Sequence, residues 1–329
     1  MLEKTVVRPD VQNDHKAIVT AVQKGDFLKP CPGTTKGYFC CGYQILTPMT
    51  GCGMYCDYCI LQAYFDHRNQ VVFENFDDCA AEVTRKLSQW HGVMRLGTGE
   101  FADSLFQENN LGLCKKVAQL LEPYPNVVVE FKTKSTNIQT LPNMKRPDKI
   151  VIGFSMNTPA MIGLHERETA SLDQRLASMR KCVDMGFWVA VHFDPMFWYP
   201  QWEADYREVV RRIFDTLPNP DKIAWWSMGG FRTNPELKKM LRQHNRHFPL
   251  FAGGEMILGE DGKYRYFRPV RTAFYRAVQD EVVRHAPDTT LYLCMESDEV
   301  WEASGMMHRI PGGLPAYLDC RAETMLGIR

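Results

Sequence analysis

At 329 residues the chain can bury a large core, and that length allows one barrel-sized domain or two smaller ones. Hydrophobic residues at 45% and charged residues at 24% are ordinary globular values, and 39 basic residues balance 39 acidic ones, so no overall field draws the chain to nucleic acid or a membrane surface. No apolar run reaches the length of a membrane span, and the charges scattered over residues 1–21 leave no signal-peptide core; the expected location is cytoplasmic, with no membrane partner.

Residues 1–40 carry few periodic signals and the interruption Lys29-Pro30-Cys31-Pro32-Gly33, and they read as an N-terminal cover segment. From residue 41 apolar runs alternate with amphipathic stretches. Strands are expected at 43–47, 93–97, 126–131, 149–154, 187–193 and 223–227. Helices are expected at 77–90, 111–121, 171–185 and 202–217, the third ended by Gly186. Such spacing predicts βαβ units and a parallel sheet. Six units predict an α/β fold in which the sheet curls into a partial (β/α)6 barrel of the TIM type, over residues 41–233. Beyond Asn234 the alternation weakens. A helix at 235–244, a strand at 263–267, a helix at 270–285 and a last strand near 291–295 predict a C-terminal α+β extension, 234–296, on the substrate side. Residues 297–329, rich in Gly, Met and Pro, read as a tail without a clear element.

The chemistry is concentrated in Gly51-Cys52-Gly53-Met54-Tyr55-Cys56-Asp57-Tyr58-Cys59, a C-x3-C-x2-C loop that follows the first barrel strand. Soft thiolates suit iron–sulfur centres, so Cys52, Cys56 and Cys59 are read as ligands of a [4Fe-4S] cluster. A cluster that only carries electrons is normally closed by four protein thiolates. Three leave one iron open, and S-adenosylmethionine is the expected occupant, cleaved with an electron from an external flavodoxin- or ferredoxin-type reductant. The rival is a zinc site completed by a fourth ligand such as His67. Among the eleven cysteines, Cys79, Cys114 and Cys182 fall in helical patterns and read as core, while Cys31, Cys40 and Cys41 read as packing residues or a further ligand.

In barrels of this kind the functional residues lie at the C-terminal ends of the strands. Glu100 follows the second strand, Lys134 the third, Ser155 and Asn157 the fourth, and His192 and Asp194 the fifth. Glu100 suits an ammonium group, Lys134 a carboxylate, Ser155 and Asn157 a carboxylate or ribose, and His192 and Asp194 adenine, ribose or substrate. Tyr58 either packs beside the cluster or relays a radical. Arg265, Arg268, Arg271 and Arg276, interleaved with Tyr264, Tyr266, Phe267, Phe274 and Tyr275, form the one stretch that reads as a nucleic-acid surface; the alternative is a solvated basic face. Lys238, Lys239, Arg242, Arg246 and His247 form a second basic run, read as a helix face, and residues 196–202 an aromatic lid over the mouth.

Thr50-Gly51-Cys52, Cys56, Tyr58-Cys59 and Leu61-Gln62 resemble the cluster signature of the spore photoproduct lyase family of radical S-adenosylmethionine enzymes. The resemblance continues through Phe131-Lys132-Thr133-Lys134, Phe154-Ser155-Met156-Asn157, Leu172-Asp173-Gln174-Arg175, Gly186-Phe187 and Lys263-Tyr264-Arg265-Tyr266, roughly over residues 26–296. It implies a radical SAM partial barrel, a [4Fe-4S] cluster and a 5′-deoxyadenosyl radical that abstracts hydrogen. Two departures matter. The family's repair enzymes carry a tyrosine directly after the last cluster cysteine, where this chain has Ile60. They also carry a hydrogen-donating cysteine after the second strand, where this chain has Glu100. A carboxylate cannot donate a hydrogen atom, and Gly97-Thr98-Gly99-Glu100 resembles instead the motif that holds the cofactor's amino group in many related enzymes. A small molecule, a peptide or a nucleic acid is the expected substrate class, with the standard spore photoproduct disfavoured.

Overall fold

A computed structural model describes residues 14–217, 219–244 and 256–328. Its main sheet has eight strands whose spatial order follows the chain: β1 (Leu28–Pro30), β2 (Gln44–Leu46), β3 (Met94–Gly97), β4 (Val127–Thr133), β5 (Ile150–Ser155), β6 (Trp188–Met196), β7 (Ile223–Gly230) and β8 (Leu291–Leu293). The pairings from β2 to β8 are parallel, and β1 returns antiparallel on β2. Every residue of β5 and β7 is buried, as expected for parallel strands covered on both faces. The covering helices include α1 (Phe76–Ser88), α2 (Leu113–Leu121), α3 (Leu172–Asp184), α4 (Trp202–Thr216) and α5 (Arg268–His285). Helix α3 starts on a capping box in which Ser171 and Gln174 satisfy each other's backbone N–H groups, and Gly186 just past its end sits at φ +91°. The expected partial barrel therefore forms, and the last strand read near 291–295, expected in the C-terminal extension, joins the main sheet as β8, a seventh parallel strand.

Two expectations are corrected. The segment 1–40 is more than a cover, because β1 is part of the main sheet, and a boundary at residue 40 cuts through the β1–β2 hairpin. The tail 297–329 is helical: Asp298–Ala303 forms one turn-and-a-half, and α6 (Leu314–Leu326) packs on the barrel. Its Leu314, Leu318, Ala322 and Met325 are buried at helical spacing. Asp319 accepts from Arg95 Nε at 2.8 Å, Arg321 donates to the carbonyls of Ile223 and Ala224 at 2.8 and 3.1 Å, and the Tyr317 hydroxyl accepts from Leu291 N–H at 3.2 Å. Because these contacts reach the N-terminal ends of β7 and β8, α6 floors the barrel opposite its functional mouth.

The edge strands β1 and β8 do not pair with each other, so the barrel has a seam. The 31–43 loop lies along it, closed by Cys31 N–H to Tyr43 O (3.0 Å) and tied to the far side by Phe39 N–H to Glu296 O (3.0 Å). Among the described residues no helix is long and apolar enough to cross a membrane.

Candidate functional site

The cysteine loop leaves the short strand Met49–Thr50 at Gly51, whose φ of +83° and contact with the Asn69 carbonyl exclude any side chain. It is then pinned on both sides. Gly51 N–H donates to Phe101 O (2.8 Å), Asp57 N–H to His165 O (2.9 Å), and Gln62 Nε2 to the carbonyls of Cys56 and Asp57 (2.9 and 3.2 Å). Cys56 also forms an isolated antiparallel bridge with Glu166. Gln62, read only as part of a signature, is thus the side chain that holds the backbone of the loop in shape.

Cys52, Cys56 and Cys59 line one cavity of about 290 Å³ at the C-terminal ends of the strands, and Glu100, Lys134, Ser155, His192, Asp194 and Tyr58 line it too. Burial raises all three thiol pKa values, that of Cys52 to about 12, and Lys134 works against the rise. Thiols in this position ionise when a metal replaces their protons. Among the described residues no three His, Cys, Asp or Glu side chains gather as a single ion requires. His67 stacks on Phe65 with centroids 5.6 Å apart. His67 lines the same cavity, yet three soft donors that do not close on one ion fit a polynuclear cluster, which takes each thiolate at a different iron, better than they fit zinc.

The other expected residues separate into those free to meet a ligand and those already engaged. Glu100 faces the cavity with its side chain 35% exposed, 3.8 Å from Lys132 Nζ. Lys134 lies with Nζ 5.8 Å from the Tyr58 ring centroid, and although burial opposes it, Cys56 and Glu166 keep its pKa raised. His192 sits within β6 rather than at its end, and its Nε2 is 2.5 Å from Glu130 Oε1. Asp194 pairs with Arg232 at 2.9 Å, which with Lys132 outweighs burial and holds its carboxyl below the usual range. Asn157 is absent from the cavity wall. Its Oδ1 accepts from Thr158 N–H and the Tyr206 hydroxyl, and its Nδ2 donates to Glu166 and to the Pro195 carbonyl. A direct cofactor contact from Asn157 would need those bonds broken. Tyr58 is buried, packs at 4.9 Å on Phe197 and donates its hydroxyl to Glu166.

Three carboxylates that residue type and spacing did not single out organise this wall, Glu130 and Glu166 buried and Asp103 half-buried. Asp103 accepts from Thr133 Oγ1 and Lys134 N–H, both at 2.7 Å, and from the backbone N–H groups of Leu105 and Phe106, so it ties the loop bearing Glu100 to the end of β4. Glu166 receives Arg175 Nη2 at 2.5 Å besides Tyr58; against burial, Arg175 and then Lys134 lower its pKa. Glu130 on β4 receives the Tyr43 hydroxyl at 2.9 Å and His192, and these, with Lys132, overcome burial to bring its pKa to about 2. The signal available for Asp103 was its place three residues beyond Glu100. Glu130 and Glu166 find their partners through the fold and have no local signature.

The basic stretch is corrected. Arg265 is buried and paired with Asp261 at 2.5 Å, Arg271 is buried against Glu296, and Arg276 donates to the Ala303 carbonyl. Arg268 remains exposed. Of the second run, Lys238 lies 3.6 Å from the Tyr264 ring centroid, and Arg246 and His247 lie outside the described residues. The expected aromatic lid is corrected: Met196 and Phe197 are fully buried, and none of 196–202 lines the cavity, which the adjoining Pro195 and the distant Phe231 reach.

Comparison with known proteins agrees with this architecture. The family model described as spore photoproduct lyase matches residues 40–244. Curated spore photoproduct lyases of Clostridium acetobutylicum and Geobacillus sp. are 26% and 25% identical over 177 and 174 residues, which are 53% and 52% of this chain and 52% and 51% of theirs. The match thus spans about half the length of these relatives. Among solved structures, a cysteine-to-alanine mutant of spore photoproduct lyase with dinucleoside spore photoproduct superposes with a TM-score of 0.76 at 19% identity, covering 85% of this chain and 83% of that one. A doubly substituted form with bound AdoMet and dinucleoside spore photoproduct gives a TM-score of 0.75 with the same coverage. At that identity the likeness shows the fold, and the family model, matching well over half of the chain, shows that it belongs to the spore photoproduct lyase family.

Proposed function

We propose that this chain is a radical SAM enzyme that holds a [4Fe-4S] cluster on Cys52, Cys56 and Cys59, binds S-adenosylmethionine beside it, and starts radical chemistry on a substrate in the same cavity. The observation that carries this reading is the convergence of the three thiols with Glu100, Lys134 and Ser155 on one space at the barrel mouth. Bound there, the cluster would supply the electron that splits the cofactor into methionine and a 5′-deoxyadenosyl radical. The chain's own side chains would orient the cofactor. Glu100 offers a carboxylate to its ammonium group and Lys134 an ammonium to its carboxylate, while Ser155 offers a hydroxyl to either its carboxylate or its ribose. His192 and Asp194, already paired with Glu130 and Arg232, would form a fixed polar wall toward the adenosine or the substrate. Tyr58 acts through packing and its bond to Glu166.

The test is to reconstitute the chain anaerobically with iron and sulfide, reduce it in the presence of S-adenosylmethionine, and assay 5′-deoxyadenosine and methionine. Both should appear with wild type and vanish with Cys56→Ala. An intact wild-type cluster that yields neither product would sink the enzyme reading and leave an iron–sulfur protein for sensing or electron transfer. The relatives' name favours a second reading, repair of a thymine-dimer lesion in DNA. Glu100 at the place expected for a hydrogen-donating thiol, together with the engaged arginines, supports a different substrate, such as a small molecule, a peptide or a nucleoside. Incubation of the reconstituted chain with dinucleoside spore photoproduct separates the two: repaired thymine establishes the second reading and its absence during active cofactor cleavage removes it.

A further inference from the structure

The 31–43 loop at the barrel seam carries three cysteines that the cluster site does not use, and a fourth, Cys294, directly follows β8 on the other side. All four are free thiols. Cys40 has surroundings the others lack. Its Sγ lies 2.9 Å from the Thr34 hydroxyl and 3.4 Å from the Gly42 N–H, which donates to it. Arg95 on β3 adds a positive charge nearby; its guanidinium bonds the Cys41 carbonyl at 2.5 Å and Asp319 of α6 at 2.8 Å. Cys40 is also partly exposed. A sulfur that is accessible, surrounded by donors and beside a cation is the environment of a reactive thiolate.

We propose that Cys40 is a nucleophilic thiolate that, with Cys31 as its resolving partner, forms a reversible thiol–disulfide centre on the seam, exchanging with low-molecular-weight disulfides. In the first step the Cys40 sulfur attacks one sulfur of the small disulfide; an S–S bond to Cys40 forms, the original S–S bond breaks, and one small thiolate leaves. In the second step Cys31, giving up its proton, attacks the Cys40 sulfur, closes the internal disulfide and releases the second small thiol. The two protein sulfurs are oxidised by two electrons and the small disulfide is reduced by two.

Cys31 is the partner for a geometric reason. Cys40 and Cys41 are joined by a trans peptide, which sets their α-carbons about 3.8 Å apart, below the roughly 4.4–6.8 Å span of an ordinary disulfide. Cys31 begins the opposite limb of the same closed loop, and Thr34 bridges the two limbs: its N–H donates to the Cys31 carbonyl at 3.1 Å while its hydroxyl lies 2.9 Å from Cys40 Sγ. The centre also touches the cavity wall. Gly33, whose N–H donates to Cys31 Sγ, packs against Met295, and Met295 lines the cavity. A change of covalent state in this loop would therefore be felt at the substrate side of the mouth.

The donors around Cys40, the Cys41 thiol first and then the Thr34 hydroxyl, outweigh partial burial and bring its pKa to about 5, whereas burial pushes Cys31 up to about 12. The Cys41 thiol is raised, by the neighbouring Cys40 first and then by burial. The experimental signature is the pH midpoint rather than the speed, because nucleophilicity falls along with pKa. Reconstituted protein is alkylated with iodoacetamide from pH 4.5 to 9 and each cysteine is followed by peptide mass spectrometry. Cys40 should label alone at acid pH with a midpoint near 5, and Thr34→Val should move that midpoint upward without loss of fold. A Cys40 midpoint of about 8.5, that of an ordinary thiol, would overturn the proposal. Treatment with glutathione disulfide should give a Cys31–Cys40 linkage in wild type, and in Cys31→Ser should stop at a glutathione adduct on Cys40. A lasting adduct in wild type, or a Cys40–Cys41 linkage, overturns the assignment of Cys31. None of these readouts depends on cleavage of S-adenosylmethionine, so failure here and failure of the proposed activity are distinguishable.

Discussion

Two stretches of this chain are equally conspicuous as sequence, the cysteine loop 51–59 and the arginine- and aromatic-rich segment 263–276, and the fold treats them in opposite ways. At the loop the sulfurs face a shared cavity while the backbone takes the structural duty, through Gly51, Gln62 and the Cys56–Glu166 bridge. In the arginine segment the side chains themselves are the structure. Arg265 is spent on Asp261, and Arg271 on Glu296, which the Tyr275 hydroxyl also bonds. Residue type advertises chemistry in both places, but only groups whose bonding capacity the fold leaves open can use it on a ligand.

The strongest way to break that contrast is to remove the two exposed-looking cations in turn. If Arg271 is structural, Arg271→Ala strands the buried Glu296 carboxylate and should cost about 3–5 kcal/mol in urea unfolding. Arg268→Ala, at an exposed position, should stay within about 0.5 kcal/mol of wild type. A nucleic-acid surface predicts the reverse pattern, with both variants stable and both losing salt-dependent binding to a lesion-bearing oligonucleotide. Equal stabilities for the two variants would show that Arg271 is not held as the structure has it.

A second test sharpens the comparison inside the barrel, where Glu130 is a carboxylate spent on structure and Glu100 one left open. Glu130 has its pKa brought from 4.5 to about 2, against burial, by His192, Lys132 and Tyr43. A depressed carboxylate pKa contributes stability above its unfolded value, and that contribution is lost as pH falls from about 4.5 toward 2. The 2.5-unit difference corresponds to about 3 kcal/mol. Denaturant midpoints measured between pH 5 and 2 should therefore fall more steeply for wild type than for Glu130→Gln, which should begin lower and flatter. Parallel profiles would mean that the Glu130–His192 contact carries no net charge stabilisation.

How much of this was legible follows the same division. The six apolar strand runs predicted the barrel because parallel strands are buried on both faces, and strand-end position predicted which polar residues would be near the mouth. What failed was anything set by partners distant in sequence. The helix Leu314–Leu326 has a weak apolar stripe, and it is anchored by Asp319 and Arg321 to groups more than 90 residues away, so its segment read as a tail. Asn157 stands at a strand end like Ser155 but is turned to Tyr206 and Glu166. Glu130 and Glu166 are single acidic residues whose meaning lies in His192 and Arg175, 62 and 9 positions away. Even the short separation in the second case spans the start of a helix, which periodicity does not carry across.

The smallest expected effect bears on the residue where function turns. Glu100 is one-third exposed and its nearest cation, Lys132, is at the outer limit of an ion pair, so its carboxylate is available to a ligand. If it accepts the ammonium group of S-adenosylmethionine, Glu100→Gln keeps an acceptor oxygen but loses the charge. Binding measured by equilibrium dialysis should weaken about tenfold, equivalent to about 1.4 kcal/mol, near the low end for hydrogen bonds to charged groups because the site is partly open to water. Unfolding midpoints should not move, since nothing buried is left unpaired. Unchanged affinity would reduce Glu100 to a counter-ion for Lys132, and the cavity would then have to recognise the cofactor's amino group without a free carboxylate, for Asp103 and Asp194 are both bonded within the wall.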